Sequence, residues 1–287
     1  MSDFFKKLRS ATNPNAEMSF VDHLEALRWH LVRSSAVIIT LALTAFMYKD
    51  ILFDVIIFGP KKIDFWTYRK LCELSNYYNL DAGLCIDKIN FSIMNNTMAG
   101  QFNLHLTAAF YAGFIMGFPY LLFELWNFIK PGLSKKERKN ASGLIFYGSF
   151  LFLTGILFGY FIITPMSINF LGSYEISSEI INQITLDSYL STVAILTMAT
   201  GLVFELPIVI YFLSKIGIMT PKFMRSNRRI AFFLIILIAA FITPTPDAPT
   251  LLLVAAPLYL LFEISIFVSA RVVKRKKIAD DLFYQNN

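Results

Sequence analysis

Apolar residues in this chain gather into long runs from which ionisable side chains are missing. Uncharged stretches run from Ser34 to Tyr48, Ile89 to Phe123, Asn140 to Tyr174, and Ser188 to Phe204, continuing past Glu205 to Ser214. Two more run from Ile230 to Pro246 and from Ala248 to Phe262, the latter continuing past Glu263 to Ala270. Runs of this kind read as membrane spans, because in hydrocarbon every backbone polar group must be bonded within its own segment, and a helix does that. The pattern predicts an all-α polytopic integral membrane protein with six transmembrane helices, near 29–48, 104–126, 143–167, 189–214, 230–243 and 250–270. A polar tail, 1–18, precedes an amphipathic helix over 19–28. Ser19 with Asp22 makes a capping-box start there, and Val21, Leu24, Leu27 and Leu31 recur at helical spacing. The first 30 residues lack an apolar core, so no cleavable signal peptide is expected.

The fifth span is short. Ile230 to Thr243 offers 14 residues, about 21 Å of helix against a hydrocarbon core of roughly 30 Å. Its exit, Thr243-Pro244-Thr245-Pro246-Asp247-Ala248-Pro249, cannot extend a helix. The fifth and sixth spans are therefore expected to form a short hairpin that stops below the outer surface or sits in a thinned bilayer.

Composition agrees with this class: 56% of the 287 residues are apolar, 16% aromatic and 16% charged, where soluble domains carry about 25% charge. The net charge of +6 hides a strong gradient. The N-terminal segment, the loops at 127–142 and 215–229, and the 271–287 tail each hold five Lys or Arg, whereas the third and fifth loops hold none. Six more lie in the long 49–103 loop, which is a weak determinant of topology. Both termini are thus predicted cytoplasmic, giving those segments +12 and the external ones −4. Such a face suits anionic lipid.

No Walker loop, dinucleotide fingerprint or metal-spaced Cys/His set occurs, and His23, His30 and His105 read as scattered. Neither an enzyme nor a nucleic-acid binder is expected, nor any cofactor or metal. Glu205 and Glu263 fall inside predicted spans, where an unpartnered carboxylate is costly, so each reads as an intramembrane polar contact or a neutral acid bonding a backbone carbonyl. Glu25, Glu124 and Glu137 are acids at a basic cytoplasmic lip. Cys72 and Cys85 share the external loop, where disulfides persist, and are expected to be bonded.

Several segments together resemble the TatC family, the six-span component of the twin-arginine translocase. Ser19-Phe20-Val21-Asp22-His23-Leu24-Glu25-Ala26-Leu27-Arg28 is similar to its N-terminal signature. Phe123-Glu124-Leu125-Trp126-Asn127-Phe128-Ile129-Lys130-Pro131-Gly132-Leu133 with Lys136-Glu137-Arg138 resembles its first cytoplasmic loop. Phe204-Glu205-Leu206-Pro207, the Thr243-Pro244-Thr245-Pro246-Asp247 turn and Leu261-Phe262-Glu263-Ile264 follow in the family's order, so the likeness runs from about Ser19 to Arg271.

The resemblance implies a concave, glove-like bundle in the bacterial inner membrane. It implies a receptor for twin-arginine signal peptides of folded proteins, assembling as an oligomer with single-span TatA- and TatB-type subunits and driven by the protonmotive force. Glu137 is then the arginine-binding acid, since guanidinium pairs bidentately with carboxylate. Phe128 and Arg28 shape the same surface, Glu205 faces partner spans, and Pro244, Pro246 and Asp247 form the last external turn. This chain has Ala26 where the family usually has Glu, with Glu25 one residue earlier, and Glu124 where relatives often carry an amide; Glu124 is expected to supply the missing charge. The Thr-Pro-Thr-Pro-Asp turn is one residue longer than the family's. A proton-coupled solute transporter built on Glu205 and Glu263 is the competing class, but no internal repeat supports it. A plain membrane anchor leaves the intramembrane acids unexplained.

Overall fold

The computed structural model describes residues 20–78, 85–86, 91–129, 141–177, 182–243 and 248–285. Glu137, Pro244, Pro246 and Asp247 lie outside the described residues. The first element, α1 (Phe20–Met47), is one 28-residue helix. The separate surface helix expected over 19–28 is instead the first turns of this longer helix, because no Gly or Pro interrupts the chain between Phe20 and Met47.

The 49–103 segment, expected as a loop, is largely structured among its described residues. It contains a π-helical turn (Ile51–Ile57), a short 3-10 turn (Gly59–Lys61), α2 (Trp66–Tyr77) and β1 (Ser92–Met94). Three long bundle helices then follow. They are α3 (Gly100–Ile129), then α4 (Ala141–Phe158) running through a π turn (Gly159–Ile163) into α5 (Thr164–Ser173), and α6 (Leu186–Val203) broken into α7 (Leu206–Ile216). β2 (Gln183–Thr185) pairs with β1 in parallel, Ile93 opposite Ile184. This small sheet departs from an all-α expectation, since three-residue strands are too short to leave an alternating signature.

A short α8 (Pro221–Ser226), capped by Thr220, leads into α9 (Arg228–Ile242) and α10 (Ala248–Gln285). Among the described residues five segments are long and apolar enough to cross a membrane: Leu24–Met47, Gly100–Ile129, Gly143–Ser173, Leu186–Ile216 and Thr250–Lys274. The predicted fifth span corresponds to α9, whose 15 residues reach only about 22 Å. The sixth helix is not short. α10 runs 38 residues, through the basic stretch expected as a tail, because Arg and Lys are good helix formers and no Gly stops it.

Packing follows two seams. α1 lies along α3, with α3 glycines at the contact: a Cβ at Gly113 would fall 2.6 Å from the Ala42 backbone nitrogen. α10 packs on α7 and α9, with Ile235, Ala239, Val254 and Leu258 in a buried cluster. A second cluster joins Leu52, Ile57, Leu104, Ile168 and Tyr189. Large apolar side chains such as Phe146, Tyr147, Phe150 and Phe241 face outward, as lipid-facing positions do.

The segment around α2 is pinned to the bundle by side-chain donors. Pro165 has no N–H, which frees the Phe161 carbonyl, and the Thr67 hydroxyl donates to it. The Tyr68 hydroxyl lies 2.9 Å from the carbonyls of both Pro60 and Pro165, and burial pushes its pKa up, so it stays a protonated donor. Tyr160 and Tyr189 donate to Ile56 and Ile57. Cys72 and Cys85 are joined by a disulfide in the same region.

Candidate functional site

At one end of the α1–α3 seam a polar cluster closes around Glu124, which is 2% exposed. His30 Nδ1 lies 2.5 Å from Glu124 Oε2, and Tyr120, one turn earlier on α3, donates its hydroxyl to Oε1 at 2.7 Å. The Arg33 guanidinium stands 3.7 Å from Oε2. One turn further along α3, the Phe128 ring meets His30 edge-on, with centroids 6.2 Å apart. Buried charge is tolerated here because both carboxylate oxygens are hydrogen-bonded.

Helical geometry explains the grouping. His30 and Arg33 lie four and seven residues beyond Ala26, within about 40° of one helix face. The acid expected to compensate for Ala26 therefore meets that same face of α1 from across the seam. Glu25, about 100° away, is exposed. Arg28 is also exposed, with its guanidinium 5.5 Å from the centre of the Trp29 ring. Glu124 is thus an interior residue, where the sequence placed it at an open lip. His30, Arg33 and Tyr120 were not singled out by sequence reasoning. Arg33, a cation at the start of an apolar run, was the available signal that a carboxylate must face it.

The two acids of the predicted spans differ sharply. Glu205 sits at the break between α6 and α7. There Pro207 lacks an N–H, and the Glu205 N–H bonds Leu202 in a tightened turn. The residue is 8% exposed, and neither carboxylate oxygen has a hydrogen-bond partner among the described residues. Space for it comes from Gly148 on α4, where an added Cβ would lie 3.4 Å from Oε2. Glu263, by contrast, accepts from Arg228 Nη2 at 2.8 Å and from the Tyr259 hydroxyl at 3.2 Å. It ties the first residue of α9 to α10 and finds its partner inside this chain. Among the described residues no three His, Cys, Asp or Glu stand close enough to hold a metal.

Long apolar helices, an apolar exterior and polar clusters at the helix seams define a multi-pass membrane protein. Residues 22–257 match the family model described as Sec-independent protein translocase protein (TatC). The chain is 38% identical over 265 residues to a TatC of Blattabacterium, covering 92% of this chain and 99% of the relative. It is 30% identical over 262 residues to that of Deinococcus radiodurans, covering 91% and 89%. Two crystal structures described as the twin arginine translocase receptor TatC are similar in fold. One has a TM-score of 0.60 at 28% identity, covering 88% of this chain and 99% of that one; the other, in DDM, has 0.64 at 29%, covering 86% and 99%. The chain belongs to the TatC family, a subunit of the Sec-independent translocase in the cytoplasmic membrane.

Proposed function

We propose that this chain is a receptor for twin-arginine signal peptides and the scaffold on which the protonmotive-force-driven export complex assembles, with no catalytic reaction of its own. The observation that carries the reading is the Glu124–His30–Phe128 cluster, which presents Phe128 at the end of α3, directly before the segment bearing Glu137. In this reading Glu137 and the exposed Glu25 pair with the two arginines, Phe128 offers the neighbouring apolar face, and Glu124 positions that face. Arg28 borders the site.

Six spans with both termini cytoplasmic follow if α9 crosses a locally thinned bilayer. The TatC described as a receptor from its crystal structure supports the same role here. Glu205 is the contact for single-span TatA- and TatB-type helices, because its oxygens, unpaired among the described residues, leave a place for a donor from a neighbouring helix. The transporter alternative is weakened because Glu263 is already held by Arg228.

The test is crosslinking of a twin-arginine signal peptide to the full chain in membranes. Glu137→Ala should weaken capture about tenfold or more, the worth of one charge-assisted pair. Unchanged capture would remove Glu137 from the site.

A further inference from the structure

We propose that the cleft at the opposite end of the α1–α3 seam binds the headgroup of a zwitterionic phospholipid of the phosphoethanolamine type, with its acyl chains lying down the outside of the two helices. The cleft encloses about 1010 Å³ between the end of α1, the π turn after it, β1 and the start of α3. Its walls combine Phe53, Phe58 and His105 with the charged Lys49, Asp50, Asp54 and Lys62.

Cations and acids both matter. Lys49 and Lys62 are exposed at the rim. Lys62 spends one hydrogen on the Asp54 carbonyl at 2.7 Å, leaving two N–H donors for a phosphate oxygen. The first-turn amides of α3, at Gln101 and Phe102 on the lining, add donors and the positive end of a 30-residue helix. Lys61 also lines the cleft, but its ammonium is engaged by the Phe91 ring, 5.3 Å from the ring centre. The exposed Asp50 and Asp54 stand on the same rim. Two carboxylates beside two ammonium groups disfavour a headgroup that is only anionic, and they match one that carries phosphate and ammonium together.

Depth and shape select a lipid over a soluble phosphoester. α1 ends at Met47 and α3 begins at Gly100, so the cleft lies at headgroup level. Phe102, on the lining, starts an exposed apolar line with Leu106 and Phe110 at successive turns of α3; its ring meets Phe46 of α1, where Leu43 and Met47 are also exposed. Acyl chains continue along that line from a headgroup seated above. Inside, His105 stacks on Phe46 at 3.9 Å, and its Nε2 is buried without a partner among the described residues. The wall is therefore aromatic.

The experiment reconstitutes the full chain in bilayers of equal phosphatidylethanolamine and phosphatidylglycerol, extracts it in mild detergent and counts retained lipids by native mass spectrometry. The wild type should retain phosphatidylethanolamine over phosphatidylglycerol by about threefold, as one partly exposed ion pair gives. Asp50→Asn with Asp54→Asn should erase that preference, and Lys49→Gln with Lys62→Gln should lower retention of both lipids. Equal retention by the wild type, or a preference that survives the Asp pair, overturns the proposal. Displacement by soluble glycerophosphoethanolamine at matched concentration overturns the lipid assignment. The wild-type ratio needs no variant to fold, and resistance of Cys72 and Cys85 to maleimide shows that the variants keep this end intact. Loss of signal-peptide capture would leave these ratios unmoved.

Discussion

Glu124→Leu is expected to lower the stability of the folded chain by about 1–3 kcal/mol, the cost of leaving its hydrogen-bonding partners at the seam unmatched. His30, Tyr120 and Arg33 would then face an apolar side chain at the α1–α3 seam. Glu124→Gln keeps one carbonyl acceptor and the side-chain volume, so its cost should be nearer 1 kcal/mol. Denaturant or thermal unfolding in detergent, followed by helical circular dichroism, measures both. A double-mutant cycle with His30→Ala isolates the contact, for which a coupling of about 1–3 kcal/mol is expected. Because Phe128 rests against His30, crosslinks from Phe128 to the signal peptide should fall in the Leu variant and persist in the Gln variant. Equal stability of Glu124→Leu and wild type would show that the cluster does not hold the seam.

Glu205→Leu is expected to abolish export while leaving stability unchanged or raising it by about 1–3 kcal/mol. The sign follows from burial: both carboxylate oxygens lack partners among the described residues, and an unsatisfied buried polar group costs free energy that an apolar side chain of similar size does not. Export of a folded reporter carrying a twin-arginine signal, measured beside the unfolding midpoint, separates the two readouts. A functional acid held at a stability cost gives lost export with a steady or higher midpoint. A merely structural Glu205 gives the reverse, a lower midpoint with export intact. Gly148→Ala narrows the same space from the α4 side, where the new methyl would lie 3.0 Å from Leu122. It should weaken export without removing the acid.

The helical spans were legible because lipid demands long uncharged runs, and each predicted span overlaps a helix or a broken pair of helices among the described residues. Their ends were less so. Nothing in composition separates the amphipathic start of α1 from the span that follows, and nothing stops α10 at Arg271. The breaks at Glu205 and before Pro165 each stand beside a proline, but both spans read as continuous in the sequence, and the use of the freed Phe161 carbonyl by Thr67, 94 residues away, left no local signal. The same limit explains the site. Glu124 was marked by its charge, but His30 and Arg33 become its partners only when α1 and α3 pack side by side, and sequence spacing carries no signal for that. Glu205 and Glu263 looked alike at similar depth; only the fold brings Arg228 to one of them.

Signal-peptide capture with Arg-Arg replaced by Lys-Lys tests the receptor claim most directly. The full chain in membranes is titrated with the two peptides, identical elsewhere, and the affinities are compared. A carboxylate site built for planar guanidinium forks predicts about tenfold or more weaker binding of Lys-Lys, since ammonium cannot make the bidentate pair. Equal affinity for the two peptides would contradict a twin-arginine receptor and reduce the acids to a general cation-binding surface.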